Sequence, residues 1–482
     1  MKNSTVYLWV LAIAYAVLSD FPFEIGMAVI TISIILGVSK RLSIPFSIQY
    51  YFGFLFLQIF ATFLYLEIES EFEVKNKFNL IVTKEIGMIS LLHLILMFFA
   101  FILFFKNSTK LDNNILIHNI SKIRFKNLLI FYFIMSFIFP VLSAISVNNA
   151  SLQQFFMALA VLKDFTLILF AFYYSFYKVN RSIIVFIFLF EFLLGFVSYF
   201  SSFKDVILYI IIVAITLTNG ISFKRVLYLS PIFVFVIYLM SFWSFVKGDY
   251  REFISNGEIG QNVNVDNSLA ISYLFNSIQN FGLEEFNSGF TTFLGRAQYL
   301  EEYQTVVQNV PSTIPHQNGN VTKDAFEFIA TPRFLNPNKN ILDPSEKTAK
   351  YTGRQVANVE MGTSISLGFF TDLYIDFGFI GMTIALLILG VLLAWFFKYV
   401  FTNKKYSSIF NISILIAIIT NIGTFESDLT FYLGILRNYI VVYIFCDLFL
   451  FKSLNRYLTG ELELNKRNRN RKNLHLNLAK IK

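Results

Sequence analysis

The 482-residue chain has a single cysteine, four histidines and nine prolines, and charged residues make up only 15% of it. One cysteine excludes a disulfide framework and a thiolate metal site within the chain. Cys446 also falls inside an apolar run, which reads as a small buried hydrophobe. No Cys/His cluster, Walker loop, dinucleotide-binding fingerprint or Gly-x-Ser-x-Gly elbow occurs, so neither metal nor cofactor is expected. So little charge beside 56% hydrophobic content excludes an ordinary soluble protein.

The chain is instead rich in long apolar runs. A helix that crosses a bilayer needs roughly 20 apolar residues, and about twelve runs qualify. The first two, Thr5–Ser19 and Phe21–Ser39, are split by Asp20 and Pro22. Lys2, a short apolar core and Ala14-Tyr15-Ala16 imitate a secretion signal, but the second run follows at once and favours an uncleaved hairpin. Further runs lie at about 44–66, 86–105, 128–147, 155–177, 183–199, 206–219, 226–245, 377–397, 408–425 and 431–451.

The formal net charge of +8 is not a nucleic-acid stripe, because the basic residues form short clusters between apolar runs. Lys40/Arg41, Lys106 through Lys126, Lys178/Arg181, Lys224/Arg225, Lys398/Lys404/Lys405 and the tail from Lys452 share one side if the runs alternate. Glu67, Glu69, Glu71, Glu73, Glu426 and Asp428 fall on the other side. Both termini are then cytoplasmic. The basic tail Lys466 to Lys472 reads as a topology anchor that attracts anionic lipid, and no nucleic-acid partner is expected.

The expected fold is an all-α polytopic membrane protein with about twelve transmembrane helices and one large, partly helical extracytoplasmic loop. Its parts are nine helices in 1–245, the loop in 246–376, three helices in 377–451 and a basic tail in 452–482.

Within that loop, helical periodicity covers about 266–286 and 290–310, with Pro311 and Pro315 ending the second stretch. Phe293, Arg296, Leu300, Tyr303 and Val307 share one face, so Arg296 is expected under cover and in need of an anion, with Glu301 and Glu302 off that face. His316 reads as an exposed loop residue. Prolines at 332, 337 and 344 stiffen the backbone around Arg333 and Lys339, a setting suited to phosphate oxygens; a charged surface loop has the same composition. Arg354 has only its neighbourhood to place it there. Thr363 or Ser364 is expected to cap the helix that enters the tenth span, beside Gly362. Ser364, Gly368, Asp372 and Asp376 then recur every four residues, either as a solvated face or as paired carboxylates for acid and base work. Inside the apolar runs, Glu191, Lys163 and Asp164 are expected to face a cavity or one another, and His93 to pack within the bundle.

These features together resemble the bacterial O-antigen polymerase family. The resemblance rests on the Ser-x-Lys corner of Ser202 and Lys204, the long outer loop, and Pro332-Arg333-Phe334-Leu335-Asn336-Pro337-Asn338-Lys339. Met361-Gly362-Thr363-Ser364 and Thr371-Asp372-Leu373-Tyr374-Ile375-Asp376-Phe377-Gly378 continue it. Asp372 stands where relatives often carry Glu, and Lys204 where Arg is common, a change that loses the two-pronged guanidinium.

The resemblance implies a bacterial cytoplasmic-membrane polymerase that joins undecaprenyl-diphosphate-linked oligosaccharide repeat units into O-antigen, capsule or exopolysaccharide. A flippase and a chain-length regulator would be its partners. It implies Asp372 and Arg333 as catalytic residues, with Arg296, Arg333, Lys339, Arg354, Lys204, Ser202, Thr363 and Ser364 binding diphosphate or glycan. A ligase that moves finished glycan to another acceptor needs almost the same site. A transporter is the non-enzyme alternative, disfavoured by the lack of an internal repeat.

The topology is checked by cysteine labelling once Cys446 is replaced. A cysteine at Asn318 is expected to react with an impermeant thiol reagent in intact cells and one at Asn470 is not; the reverse pattern would remove the external loop.

Overall fold

The computed structural model describes residues 14–68, 78–106, 111–147, 150–197, 203–217, 223–257, 264–331, 336, 343–357, 364–422 and 426–461. Among these residues the regular structure is entirely helical. The first ten helices are α1 (Pro22–Leu42), α2 (Phe46–Ile68), α3 (Leu80–Phe105), α4 (Asn113–Ser121), α5 (Phe125–Val147), α6 (Ala150–Leu159), α7 (Val161–Phe176), α8 (Arg181–Val197), α9 (Phe203–Leu217) and α10 (Phe223–Ser255). They are followed by α11 (Asn267–Gln279), α12 (Leu283–Ala297), α13 (Leu300–Asn309), α14 (Asn320–Ala330), α15 (Pro344–Thr352), α16 (Phe369–Phe401), α17 (Ser408–Asn421), α18 (Leu429–Phe449) and α19 (Phe451–Thr459).

Eight helical stretches among the described residues are long and apolar enough to cross a membrane: α1, α2, α3, 125–142 of α5, 154–176 across α6 and α7, 230–255 of α10, α16 and α18. Such sequences form helices because a bilayer offers backbone groups no water to bond. The chain is thus an all-α protein embedded in a membrane. Three other expected runs form shorter helices, α8, α9 and α17, of 17, 15 and 14 residues. In α17 every residue from Ile409 to Ile419 is buried, as expected of a helix that is apolar all round and enclosed by protein.

The charges expected inside the bundle find one another. Lys163 Nζ lies 2.7 Å from Glu191 Oε2, whose other oxygen accepts the Tyr132 hydroxyl at 2.5 Å. Asn421 Nδ2 donates to Asp164 at 2.8 Å. His93 is buried with Nε2 2.8 Å from Thr383 Oγ1, and Cys446 is buried.

The long polar segment packs on the bundle. Its first residues belong to α10, which runs on to Ser255, so 246 lies inside a helix. The two helices expected at 266–286 and 290–310 are three. Gly282 opens an extended break whose N–H donates to Glu285 at 2.9 Å, and Gln298 and Tyr299 make a second break. That second break turns the expected face. Leu294, Leu300, Tyr303 and Val306 are buried, Glu301 goes in with them, and Arg296 is left exposed. Leu300, Tyr303 and Val306 join the main core, where α13 meets α3.

A further break falls at Gly378, whose φ of 63° divides α16. It frees two carbonyls, and both are taken up: Ile375 accepts the Gln317 N–H at 2.9 Å and Asp376 that of Asn318 at 3.0 Å. The Asp376 carboxylate in turn accepts Val321 N–H at 2.9 Å, Thr322 N–H at 2.6 Å and the Thr322 hydroxyl at 2.5 Å. Both its oxygens thus cap the start of α14. His316 is half-buried, with its ring edge-on to Tyr374 at 5.4 Å. A Cβ at position 378 would come within 3.2 Å of its Nε2.

Close approach of α12 to α10 depends on Gly289, where a Cβ would run into the Ser241 carbonyl oxygen. Overpacking of this kind costs about 1–3 kcal/mol. Gly289→Leu is therefore expected to lower the melting temperature of the detergent-solubilised protein clearly, whereas Gly257→Ala, in open space, is expected to show only its backbone strain.

Candidate active site

The helix ends that gather on one side of the bundle carry a buried ion cluster. Asp372 lies in the first turn of α16 and is fully buried. Asp428 caps α18, accepting the Phe431 N–H at 2.8 Å. Lys347, from the short helix α15, places its Nζ 2.8 Å from Asp372 Oδ2 and 2.8 Å from Asp428 Oδ2. Asp372 Oδ2 also accepts the Leu429 N–H at 2.8 Å, while its Oδ1 is buried without a hydrogen-bond partner. Two carboxylates at two helix N-termini also gain from the positive ends of those helices. Burial alone would lower the Lys347 ammonium, but Asp372, then Asp428, hold it protonated, above the usual lysine range.

Beside this cluster lies a group of charges of opposite balance. Glu426, two residues before Asp428, has its Oε1 3.1 Å from Gln58 Nε2 on α2. Lys204 from α9, Arg296 from the end of α12 and Lys247 from α10 all act on it through space. Arg251 adds a further cation close to Lys247. Among the described residues no carboxylate stands within ion-pairing distance of Lys204, Lys247 or Arg296. Lys204, Arg296 and Glu426 are exposed and Lys247 half-buried, so these groups are accessible to solutes. The surrounding protein, by weakening hydration, raises the Glu426 carboxyl above the ordinary glutamate range, against the pull of Lys204, Arg296, Gln58 and Lys247. Tyr299 joins the two groups. Its hydroxyl donates to the Ser366 carbonyl and lies 3.4 Å from that of Glu426, and it feels the charges of both Glu426 and Asp372.

Of the residues singled out from the sequence, Asp372, Lys204 and Arg296 converge here. Arg354 is engaged elsewhere: it lies 3.1 Å from Glu301 and 2.6 Å from the Thr305 hydroxyl, so its charge is balanced on the surface of α13. Ser364 is exposed and caps nothing, because α16 begins five residues later behind Gly368. Asp376 and His316 serve the helix break. Arg333, Lys339, Ser202 and Thr363 lie outside the described residues. Sequence reasoning passed over Lys247, Arg251 and Lys347. Lys347 sits between Pro344 and Tyr351, both buried, at helical spacing. That weak stripe was the only signal, since so polar a segment advertises no buried face.

The family described as "Domain of unknown function (DUF8712)" matches residues 24–460. No curated protein and no solved structure matches the chain.

Because the Glu426 carboxyl is raised, it protonates at higher pH than an ordinary glutamate, and its loss of charge leaves the cations unopposed. Diphosphate binding, followed by calorimetry, is expected to strengthen as pH falls from neutral towards 5. Glu426→Gln is expected to bind more tightly than the native protein at pH 7 and to lose part of that pH dependence. Equal binding by the two at pH 7 would separate Glu426 from the anion site.

Proposed function

The chain belongs to the DUF8712 family, a description that carries no activity, and we propose from the site itself that it polymerises lipid-diphosphate-linked oligosaccharide repeat units. The observation that carries this reading is the group of three accessible cations, Lys204, Lys247 and Arg296, with no carboxylate at ion-pairing distance among the described residues, set beside a buried carboxylate with one oxygen that makes no hydrogen bond. Both stand at the ends of apolar helices, where the diphosphate of a lipid carrier would lie. The reading takes about twelve spans, both termini in the cytoplasm and 246–376 on the outer side, as the basic clusters suggest. The undecaprenyl carrier, and any flippase or chain-length regulator, come with the family resemblance.

In the proposed reaction a sugar hydroxyl of one unit attacks the anomeric carbon of the other. Its oxygen forms the new glycosidic bond as the bond from that carbon to the diphosphate oxygen breaks. The hydroxyl proton passes to Asp372 Oδ1, and the diphosphate departs with the electron pair. Diphosphate is a good leaving group, so its departure needs fixed positive charge more than an acid. Lys204, Lys247 and Arg296 would supply that charge, with Arg333 and Lys339 added by the resemblance. Lys347 covers Asp372 while the two are paired, so the hydroxyl would reach Oδ1 only with α15 moved aside.

The test is polymer formation by purified variants on lipid-linked repeat units, with folding checked in parallel. Asp372→Asn is expected to abolish polymer while leaving carrier binding largely intact. Arg333→Lys is expected to fail nearly as badly as Arg333→Ala, since lysine loses the two-pronged contact. Removing one donor to developing charge costs about 3 kcal/mol, on the order of a hundredfold in rate. Near-normal polymer from well-folded Asp372→Asn would overturn its role as the base. Transfer only to a different acceptor would indicate a ligase, and absence of any glycan transfer by the native protein a transporter.

A further inference from the structure

Arg437 is the ninth residue of α18, about 12 Å along the axis from its outer end. An arginine at such a depth is costly unless it is paired or turned towards a polar site. Here every hydrogen-bond partner is a neutral oxygen. Nη1 donates to the Ile329 carbonyl at 2.5 Å, Nη2 to Gln154 Oε1 at 2.8 Å and to Asn438 Oδ1 at 2.7 Å, and Nε to Asn438 Oδ1 at 3.2 Å. Among the described residues no carboxylate stands within ion-pairing distance of it. Residues 113–163, which include α6, contain no Asp or Glu, and neither do 328–342 or 429–446. On α14 the nearest acid in sequence to Ile329, Glu327, is exposed and 3.7 Å from Lys323.

The negative end of α14, whose last turn holds Ile329, offsets only part of the charge. A Cβ added at Gly434 would lie 3.9 Å from Ile329, so α14 ends close against α18 near the guanidinium. The helices that carry these groups also expose apolar side chains, with Phe431 46% exposed on α18, Phe326 50% on α14 and Met157 67% on α6. A half-buried positive charge on a helix apolar enough to cross a membrane suits an anion that brings its own hydrocarbon.

We propose that Arg437, with Gln154 and Asn438, is a binding site for a lipid-borne phosphate in the outer half of the bilayer, separate from the Lys204–Lys247–Arg296 group. Guanidinium and phosphate match in charge and in their paired geometry. The phosphate can come from a bilayer phospholipid or from a polyprenyl diphosphate, and the site does not depend on the proposed polymerase chemistry.

The purified full-length protein is titrated by native mass spectrometry with phosphatidylglycerol and, separately, undecaprenyl diphosphate, with phosphatidylcholine as control. Arg437→Gln retains a donor for the Ile329 carbonyl but removes the charge. It is expected to bind one anionic lipid about tenfold more weakly, with phosphatidylcholine binding unchanged. Loss with phosphatidylglycerol assigns the site to bilayer lipid, and loss with undecaprenyl diphosphate alone assigns it to a carrier. Unchanged binding of both, or equal loss of phosphatidylcholine, would leave Arg437 as a helix cap only. If Arg437→Gln does not fold, the native protein is photolabelled with headgroup-diazirine phosphatidylglycerol and a diazirine-bearing polyprenyl diphosphate. Adducts within 154–160 or 431–441 are expected with at least one probe, and adducts confined to other segments with both would overturn the site.

Discussion

One ammonium group between two carboxylates joins the long polar segment to the membrane bundle. Lys347 reaches from α15 to Asp372 at the head of α16 and Asp428 at the head of α18, each at 2.8 Å. Neither carboxylate would be tolerated in that burial without a counter-charge. The Leu429 N–H, bonded to Asp372, adds a direct tie between the two long helices. The position of the candidate base, the start of two spans and the seat of α15 therefore depend on the same few contacts. The cluster holds two acidic groups and one basic, while the adjoining group of Lys204, Lys247, Arg296 and Glu426 holds three basic and one acidic.

The same logic recurs around α14. Its first N–H groups are held by Asp376 and the carbonyl of its penultimate residue, Ile329, by Arg437. The break at Gly378 makes the first of these possible, since it ends a helix where another must be received. The Ile375 and Asp376 carbonyls at the break accept from residues 317 and 318. Asp376, which four-residue spacing paired with Asp372, is for this reason a structural carboxylate. The two acids differ in what faces them: backbone donors use both oxygens of Asp376, whereas one oxygen of Asp372 is buried without a hydrogen bond.

Much of the bundle was legible because apolar length and intramembrane charge are strong, local signals. Glu191 had to find a cation under cover, and Lys163 is there. His93 and Cys446 lie inside, as residues in apolar runs should. In the polar segment those signals fade. Periodicity suggested continuous helices, but Gly282 and the Gln298-Tyr299 step turn the chain, and each turn changes which side is covered. Arg296 and Glu301 accordingly exchanged their expected environments. Arg296 still arrives at a functional-looking place, for a different reason: it is exposed among other cations.

The sequence by itself determined that this chain is helical and lives in a membrane, because the cost of unbonded backbone and buried charge in hydrocarbon leaves few alternatives. It also singled out Asp372, Lys204 and Arg296. Only the tertiary structure decided that Lys347 and Asp428 would enclose Asp372, that Lys247 would join Lys204 and Arg296, and that Arg354 would be neutralised by Glu301. Charges on different helices have no fixed spacing along the chain. Their partnership depends on how helix ends and breaks bring them together, so it appears only once the helices are packed.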